Sequence, residues 1–459
     1  MRQSLAAALL CLALSPASAP ARELWRSGEV SLELSGSVRE LAVATRGTDA
    51  GDFEQAAGAS LAVAIDCARA ETFPDCPAFD TVGERRVLTS LTRLRTRLDL
   101  RLSPHWSAVA VYDHELLAGN LDTLEAELGE SLASQSFLGA EGVLESSRHA
   151  RWSHLLYRGF VAFESSHFEL TLGRQRIPWG VGRLWNPIDR FNAIPPLALE
   201  GDQSPGVDAV SLRWLPSGFT SVEAVFAPAD DSARRAYALR LHGVARDVDY
   251  SLVAGVFERA LTLGFDLAGN LGDAAARLEV VYSDPEGEVW PVGAARREEL
   301  PHFWQVVGSV DHLFDIGTGI YVLLEHLYNG NALGFGHGRA GVLLPLFEAT
   351  DAAPPGVSLP PGPYVTSTSS YRFGGSRVIS GARHQTGVQL GYDLTPEIRG
   401  ELLLIYDWSG TSASFLPTFR YVPLDWLELT LGAQLFAGPR RSQYGDAQPL
   451  GFLLAEAFF

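Results

Sequence analysis

Arginine supplies all 36 basic side chains of the 459-residue chain, and their placement is uneven. Between Val87 and Leu102, Arg93, Arg95, Arg97 and Arg101 alternate with Leu94, Leu98, Leu100 and Leu102. Alternation at period two puts the two sets on opposite faces of one strand. If the leucines meet hydrocarbon, the arginines must line an interior, because a lipid-facing arginine at mid-membrane costs roughly 2–4 kcal/mol. Asp113 and Glu115 share one parity on the next expected strand, within reach of the ladder. Guanidinium groups facing a channel draw anions, whereas the same groups paired to carboxylates are wall structure. The residue types admit both readings.

A second concentration follows, from Leu172-Gly173-Arg174-Gln175-Arg176-Ile177-Pro178-Trp179 through Gly180-Val181-Gly182-Arg183-Leu184-Trp185 to Asn186-Pro187-Ile188-Asp189-Arg190. Prolines and glycines impose fixed bends on a loop. Arg174, Arg176, Arg183 and Arg190, with Asp189 and Asp208, then supply the charges expected of a constriction. Arg174 is the awkward member, since it shares parity with Leu170 and Leu172. Either a bulge reverses the face near Gly173, or these residues lie above the membrane. The segment resembles outer-membrane barrels of the alginate-export type, in which a strand ending Gly-Arg-Gln leads to a Gly-x-x-Arg-Leu turn and a returning Asp-x-Val-x-Leu strand. The matching residues are Gly173-Arg174-Gln175, Gly180-Val181-Gly182-Arg183-Leu184 and Asp208-Ala209-Val210-Ser211-Leu212. The resemblance spans about 40 residues and implies barrel kinship more than it implies a polysaccharide cargo; Trp185-Asn186-Pro187-Ile188-Asp189 departs from it.

The elements that must position these residues read as strands throughout. Turn chemistry recurs at Ser103-Pro104-His105, Ser165-Ser166, Pro216-Ser217-Gly218, Ala245-Arg246-Asp247, Gly269-Asn270-Leu271-Gly272, Asp315-Ile316-Gly317, Thr395-Pro396-Glu397 and Pro423-Leu424-Asp425. Longer connections fall between them, notably 46–85, 118–151, 178–205 and 329–380. Short turns alternating with long loops are the signature of a transmembrane antiparallel β-barrel, short on the periplasmic side and long outside. The count is about eighteen strands, with sixteen as the alternative, and the third outer loop is expected to fold toward the lumen. Aromatics near strand ends, such as Trp106, Trp214, Trp304 and Trp408, form the expected interfacial girdles.

The ends agree. Arg2, the apolar run Leu5 to Leu14 and the small residues Ala17, Ala19 and Ala21 read as a signal peptide over 1–21, leaving 22–459 as one barrel domain. The terminal Phe459 resembles the signal read by the barrel-assembly machinery of Gram-negative outer membranes. Cys67 and Cys76 flank a short acidic segment of an exported chain, which suggests a local disulfide in the first outer loop. No His or Cys pair has zinc spacing, so no metal and no cofactor are expected. A net charge of −18 argues against a nucleic-acid partner. Gly-x-Ser-x-Gly, His-Glu-x-x-His and phosphate-loop patterns are absent, which argues against an enzyme. The expected partners are outer-membrane lipid and lipopolysaccharide. Passive passage of small or elongated hydrophilic solutes through an outer-membrane channel is the function these features imply. The alternative is a non-conducting barrel that binds or adheres through its outer loops.

Overall fold

The structure is a computed structural model. It describes residues 22–47, 85–119, 137–199 apart from 148 and 195, 206–229, 235–286 apart from 258, 288–289, 298–299, 302–332, 372–373, 376–377, 380–439 apart from 381, and 442–459 apart from 446. The signal peptide, Cys67 and Cys76, and most of loops 46–85 and 329–380 lie outside the described residues.

Eighteen strands close into one antiparallel barrel. The first six are β1 (Val30–Gly47), β2 (Arg85–Arg101), β3 (Trp106–Gly119), β4 (Ala150–Glu164), β5 (Phe168–Gln175) and β6 (Val207–Ser217). Next come β7 (Thr220–Ala227), β8 (Ala236–Ala245), β9 (Val248–Phe257), β10 (Ala260–Leu271), β11 (Ala274–Pro285) and β12 (Phe303–Phe314). The circuit ends with β13 (Ile320–Asn329), β14 (His384–Thr395), β15 (Ile398–Asp407), β16 (Ser412–Leu424), β17 (Leu427–Ala437) and β18 (Leu450–Phe458). Each pairs with its sequence neighbour, and β18 returns to β1 from Ser37↔Phe458 to Thr45↔Leu450, so no edge is left unpaired in the cylinder. The hairpin Ala245-Arg246-Asp247-Val248 turns on two residues of positive φ, the geometry that matches strand twist.

Alternation decides the faces. In β2, Leu88 is 69% exposed on the outer surface, while Thr89, Leu91 and Arg93 are buried on the inner one. Tyr237, Leu239 and Leu241 of β8 and Leu261 and Leu263 of β10 likewise face outward. Interfacial aromatics meet in pairs: Trp106 with Phe163 near the short turns, and Phe226 with Tyr237, Tyr282 with Trp304 and Tyr406 with Trp408 toward the long connections.

Two strands extend the sheet without being barrel staves. Arg22–Ser27 folds back on the start of β1. Glu141–Ser147, inside the connection 118–151, pairs with the upper part of β4, Ala150–Leu155. It occupies a place that β5 leaves vacant: β5 pairs only with Gly159–Glu164 of β4 before the chain turns away at Gln175. Gly173, at φ +121°, permits this departure, because a Cβ there would collide with the backbone carbonyl of Gly159.

Candidate functional site: the lumen and its inward-folded loop

Beyond Gln175 the chain enters the barrel and runs along its inner wall. Ile177, Trp179, Ile188 and Phe191 pack against the inward faces of β6 to β11, on Val207, Ala209, Val225, Ala238, Val253, Phe257 and Val281. Farther round, Leu184 and Trp185 pack on Val307, Leu323, Leu327, Leu403 and Ile405, from β12, β13 and β15. The Leu197 carbonyl accepts a bond from Gln434 of β17 at 2.6 Å, and Leu199 reaches the apolar cluster of Leu41, Val43, Leu91, Leu450 and Phe452. The loop is therefore a band following most of the inner circumference.

Wall carboxylates hold the band by its backbone. Glu325 of β13 accepts the N–H groups of Arg183, Leu184 and Trp185 at 2.9, 2.8 and 2.7 Å. Glu279 of β11 accepts those of Val181, Gly182 and Ile188. Glu223 of β7 accepts the indole N–H of Trp179 at 3.0 Å. Within the loop, Asp189 accepts the N–H groups of Phe191 and Asn192, and Asn186 donates to the Trp179 carbonyl at 2.8 Å. Gly180, at φ +87°, sits where a Cβ would overlap the Asn186 amide oxygen. Three amides converge on each of Glu279 and Glu325, and buried polar groups satisfied in this way fix the loop firmly.

The expected constriction residues divide on this frame. Arg190 is buried and donates to Ser283 and Gln305, and Asp189 is buried as a loop brace. Arg183 and Arg176 keep exposed side chains. Arg174 and Asp208 are not in the constriction. They retain the outward parity of Leu172 and Val210, so no bulge reverses the face, and they form a buried pair across β5 and β6 at 2.8 Å. Arg174 also donates to the Leu156 carbonyl, and Asp208 accepts the N–H groups of Phe137 and Leu138 just before the added strand. That segment of the second long connection gives the outward-facing charges the cover they need.

The β2 ladder faces inward as its leucines require. Arg93 meets Glu115 at 2.7 Å and Asp113 at 3.7 Å, and Arg95 meets Asp113 at 2.6 Å. Arg95 also lies 3.7 Å from the ring centre of Tyr157, which a register shift opposite Val111 and Tyr112 turns inward. Arg97 forks onto Asp99, and Arg101 is exposed near the short turns. The sequence reading missed Tyr157 and the clamping carboxylates Glu223, Glu279 and Glu325. Their signal was present, as single acids on the lumen parity of otherwise apolar strands, but the amides they hold could not be inferred.

No family model matches the chain, and no curated protein matches it. Among solved structures, Acinetobacter baumannii OccAB1 is similar over 96% of this chain and 98% of its own, with a TM-score of 0.51 and 10% identity. Pseudomonas aeruginosa OccK8 (OprE) matches over 93% and 98% at a TM-score of 0.49 and 9% identity. The outer membrane protein OprD of Pseudomonas aeruginosa matches over 93% of both chains at 0.45 and 10% identity. The likeness is one of fold, a barrel of the outer-membrane porin type. With its apolar belt and aromatic rims, the chain is an integral outer-membrane protein.

Proposed function

We propose that this barrel is a passive channel for small or elongated hydrophilic solutes, with a preference for anions. One observation carries the reading: a loop clamped to the inner wall by Glu223, Glu279 and Glu325 lies inside a cylinder of eighteen strands. A barrel of that size holds an aqueous path, unlike an eight-strand barrel filled by its own side chains. A loop fixed against the wall narrows such a path without filling it. The anion preference rests on the exposed guanidinium groups of Arg183 and Arg176, since cations in a constriction act through a low-dielectric wall that focuses their field. The alginate-export resemblance covers the strand–loop–strand unit that forms the band, and so supports an inward loop without selecting a polysaccharide as cargo.

Single-channel recording of the purified protein in planar bilayers tests both levels. Discrete openings and a reversal potential displaced toward anions in a salt gradient are expected. Absence of conductance would replace the channel with the non-conducting, loop-binding barrel. Conductance with cation preference would overturn only the solute charge.

A further inference from the structure

The outward surface is not uniform. On β8, β10 and β13 the lipid-facing positions are Tyr237, Leu239 and Leu241, then Leu261, Leu263, Phe265 and Leu267, then Ile320, Val322 and Leu324, with His326 following them and bonded to Thr386 of β14. On β1 to β4 polar and small residues interrupt the same outward positions, beside apolar ones such as Leu88, Leu98 and Leu116. Glu40 has the parity of Val38 and Ala42, opposite to buried Arg39 and Leu41, so its carboxylate is on the lipid side. It stands mid-way along the Ser37–Thr45 stretch that pairs with β18. The hydroxyls of Ser90 and Thr92, outward on β2, donate one to each of its oxygens. On β3 and β4, Tyr112 bonds His154 Nδ1 through its hydroxyl, and His114 lies between them and Trp152. His114 Nδ1 is buried and has no hydrogen-bond partner. Alanines at 42, 44, 110 and 455 surround these groups and leave the surface shallow.

From this we infer that the outer face of β1 to β4 is a contact between two copies of this chain within the membrane. A carboxylate and two imidazoles facing acyl chains are expensive, and such groups in membrane proteins ordinarily face protein or water. Ser90 and Thr92 lessen the cost for Glu40 but supply no counter-charge. A second copy does. One face carries both an acceptor, Glu40, and donors, His114 and His154, so the surface is self-complementary. A two-fold axis along the membrane normal brings Glu40 of each copy toward the histidines of the other, as an isologous contact requires. The small residues allow two walls to approach closely, which is how protein surfaces pack where lipid is the competing solvent.

The test measures association of the full mature chain in native-membrane vesicles. In a Cys67→Ser, Cys76→Ser chain, Ala44→Cys should yield a cross-linked species of twice the mass with a short bis-maleimide. In nanodiscs, native mass spectrometry should show an oligomer that Ala42→Trp and Glu40→Leu each reduce at least ten-fold, with the conductance of each barrel retained. Heat-modifiable migration on gels identifies variants that have folded. The inference falls if the wild-type chain is monomeric in both measurements, or if the oligomer survives both substitutions in folded protein. It falls equally if the patch carries lipopolysaccharide that Glu40→Leu releases, or if the cross-link joins a chain of different mass. Because conductance is read separately, failure of the interface and failure of the channel are distinct results.

Discussion

A carboxylate in the wall of a wet barrel ordinarily meets water or an arginine, yet Glu325 turns to the backbone of the loop. Its acceptor capacity goes to three consecutive amides of the loop. Glu325→Ala leaves those amides buried without an acceptor, a cost of about 1–3 kcal/mol for each group that water does not reach. The loop should then sample positions off the wall, giving noisier single-channel currents and a changed mean conductance, while Glu325→Gln keeps an acceptor and should behave closer to wild type. Currents indistinguishable from wild type in Glu325→Ala would mean that the band does not set the narrow part of the path. Charge selectivity belongs to the same scale. Arg97 and Arg183 carry the same charge in different places: Arg97 is forked onto Asp99 on the short-turn half of β2, and Arg183 is exposed on the loop. Screening at physiological salt limits the reach of each to about 8–10 Å. Arg183→Ser should therefore move the reversal potential toward cations more than Arg97→Ser does. Equal shifts would make the ladder, and not the loop, the selective element.

At the scale of elements, the notable event is that β5 ends after eight residues and hands its place beside β4 to a strand from a different connection. The join is closed by Arg174 and Asp208, both almost wholly buried, with the amides of Phe137 and Leu138 on the second oxygen of Asp208. Removing one member of a buried pair typically costs about 3–5 kcal/mol because the other charge is stranded. Asp208→Ala should lower the temperature at which the barrel loses heat-modifiable migration, while the reversal potential stays put, since the pair faces away from the lumen. A shift of the reversal potential would return these residues to the pore. The strands themselves were legible from sequence because period-two alternation and turn chemistry act locally: the expected count of about eighteen agrees with the eighteen staves of the barrel. The inward fold of the third loop was legible from its prolines, glycines and clustered charges. The placement of Arg174 and Asp208 was not, because parity shows only that they face outward. The cover comes from Phe137 and Leu138, about 70 residues from Asp208 in the chain. Glu141–Ser147 escaped for a related reason, as Val143-Leu144-Glu145 carries no alternation and its partner strand is already occupied on the other edge. The apolar lumen cluster at Leu41, Leu91 and Leu450 likewise answers to Leu199, which the local pattern cannot reveal.

For the molecule as a whole, closure replaces a conventional core. Every stave has two neighbours, and the last residue takes part: Phe459 exchanges paired backbone hydrogen bonds with Gly36, both at 2.9 Å. Side chains that line the lumen belong to the band and to paired charges, so the path is shaped by residues whose roles are structural as well as electrostatic. The two ends of this cylinder differ in kind. One carries tight hairpins such as Ser217-Gly218-Phe219, and the other carries the connections 118–151, 178–205 and 329–380. Barrels delivered from the periplasm keep short turns on that side and long loops outside, which makes orientation a direct experiment. In a chain with Cys67→Ser and Cys76→Ser, Glu145→Cys sits exposed on the long-connection end and Ser217→Cys on the short-turn end. A maleimide too large to cross the barrel, applied to intact cells, should label Glu145→Cys and spare Ser217→Cys, and both should react once the membrane is opened. Labelling of Ser217→Cys alone in intact cells would invert the barrel and put the mouth of the inward-folded loop on the periplasmic side.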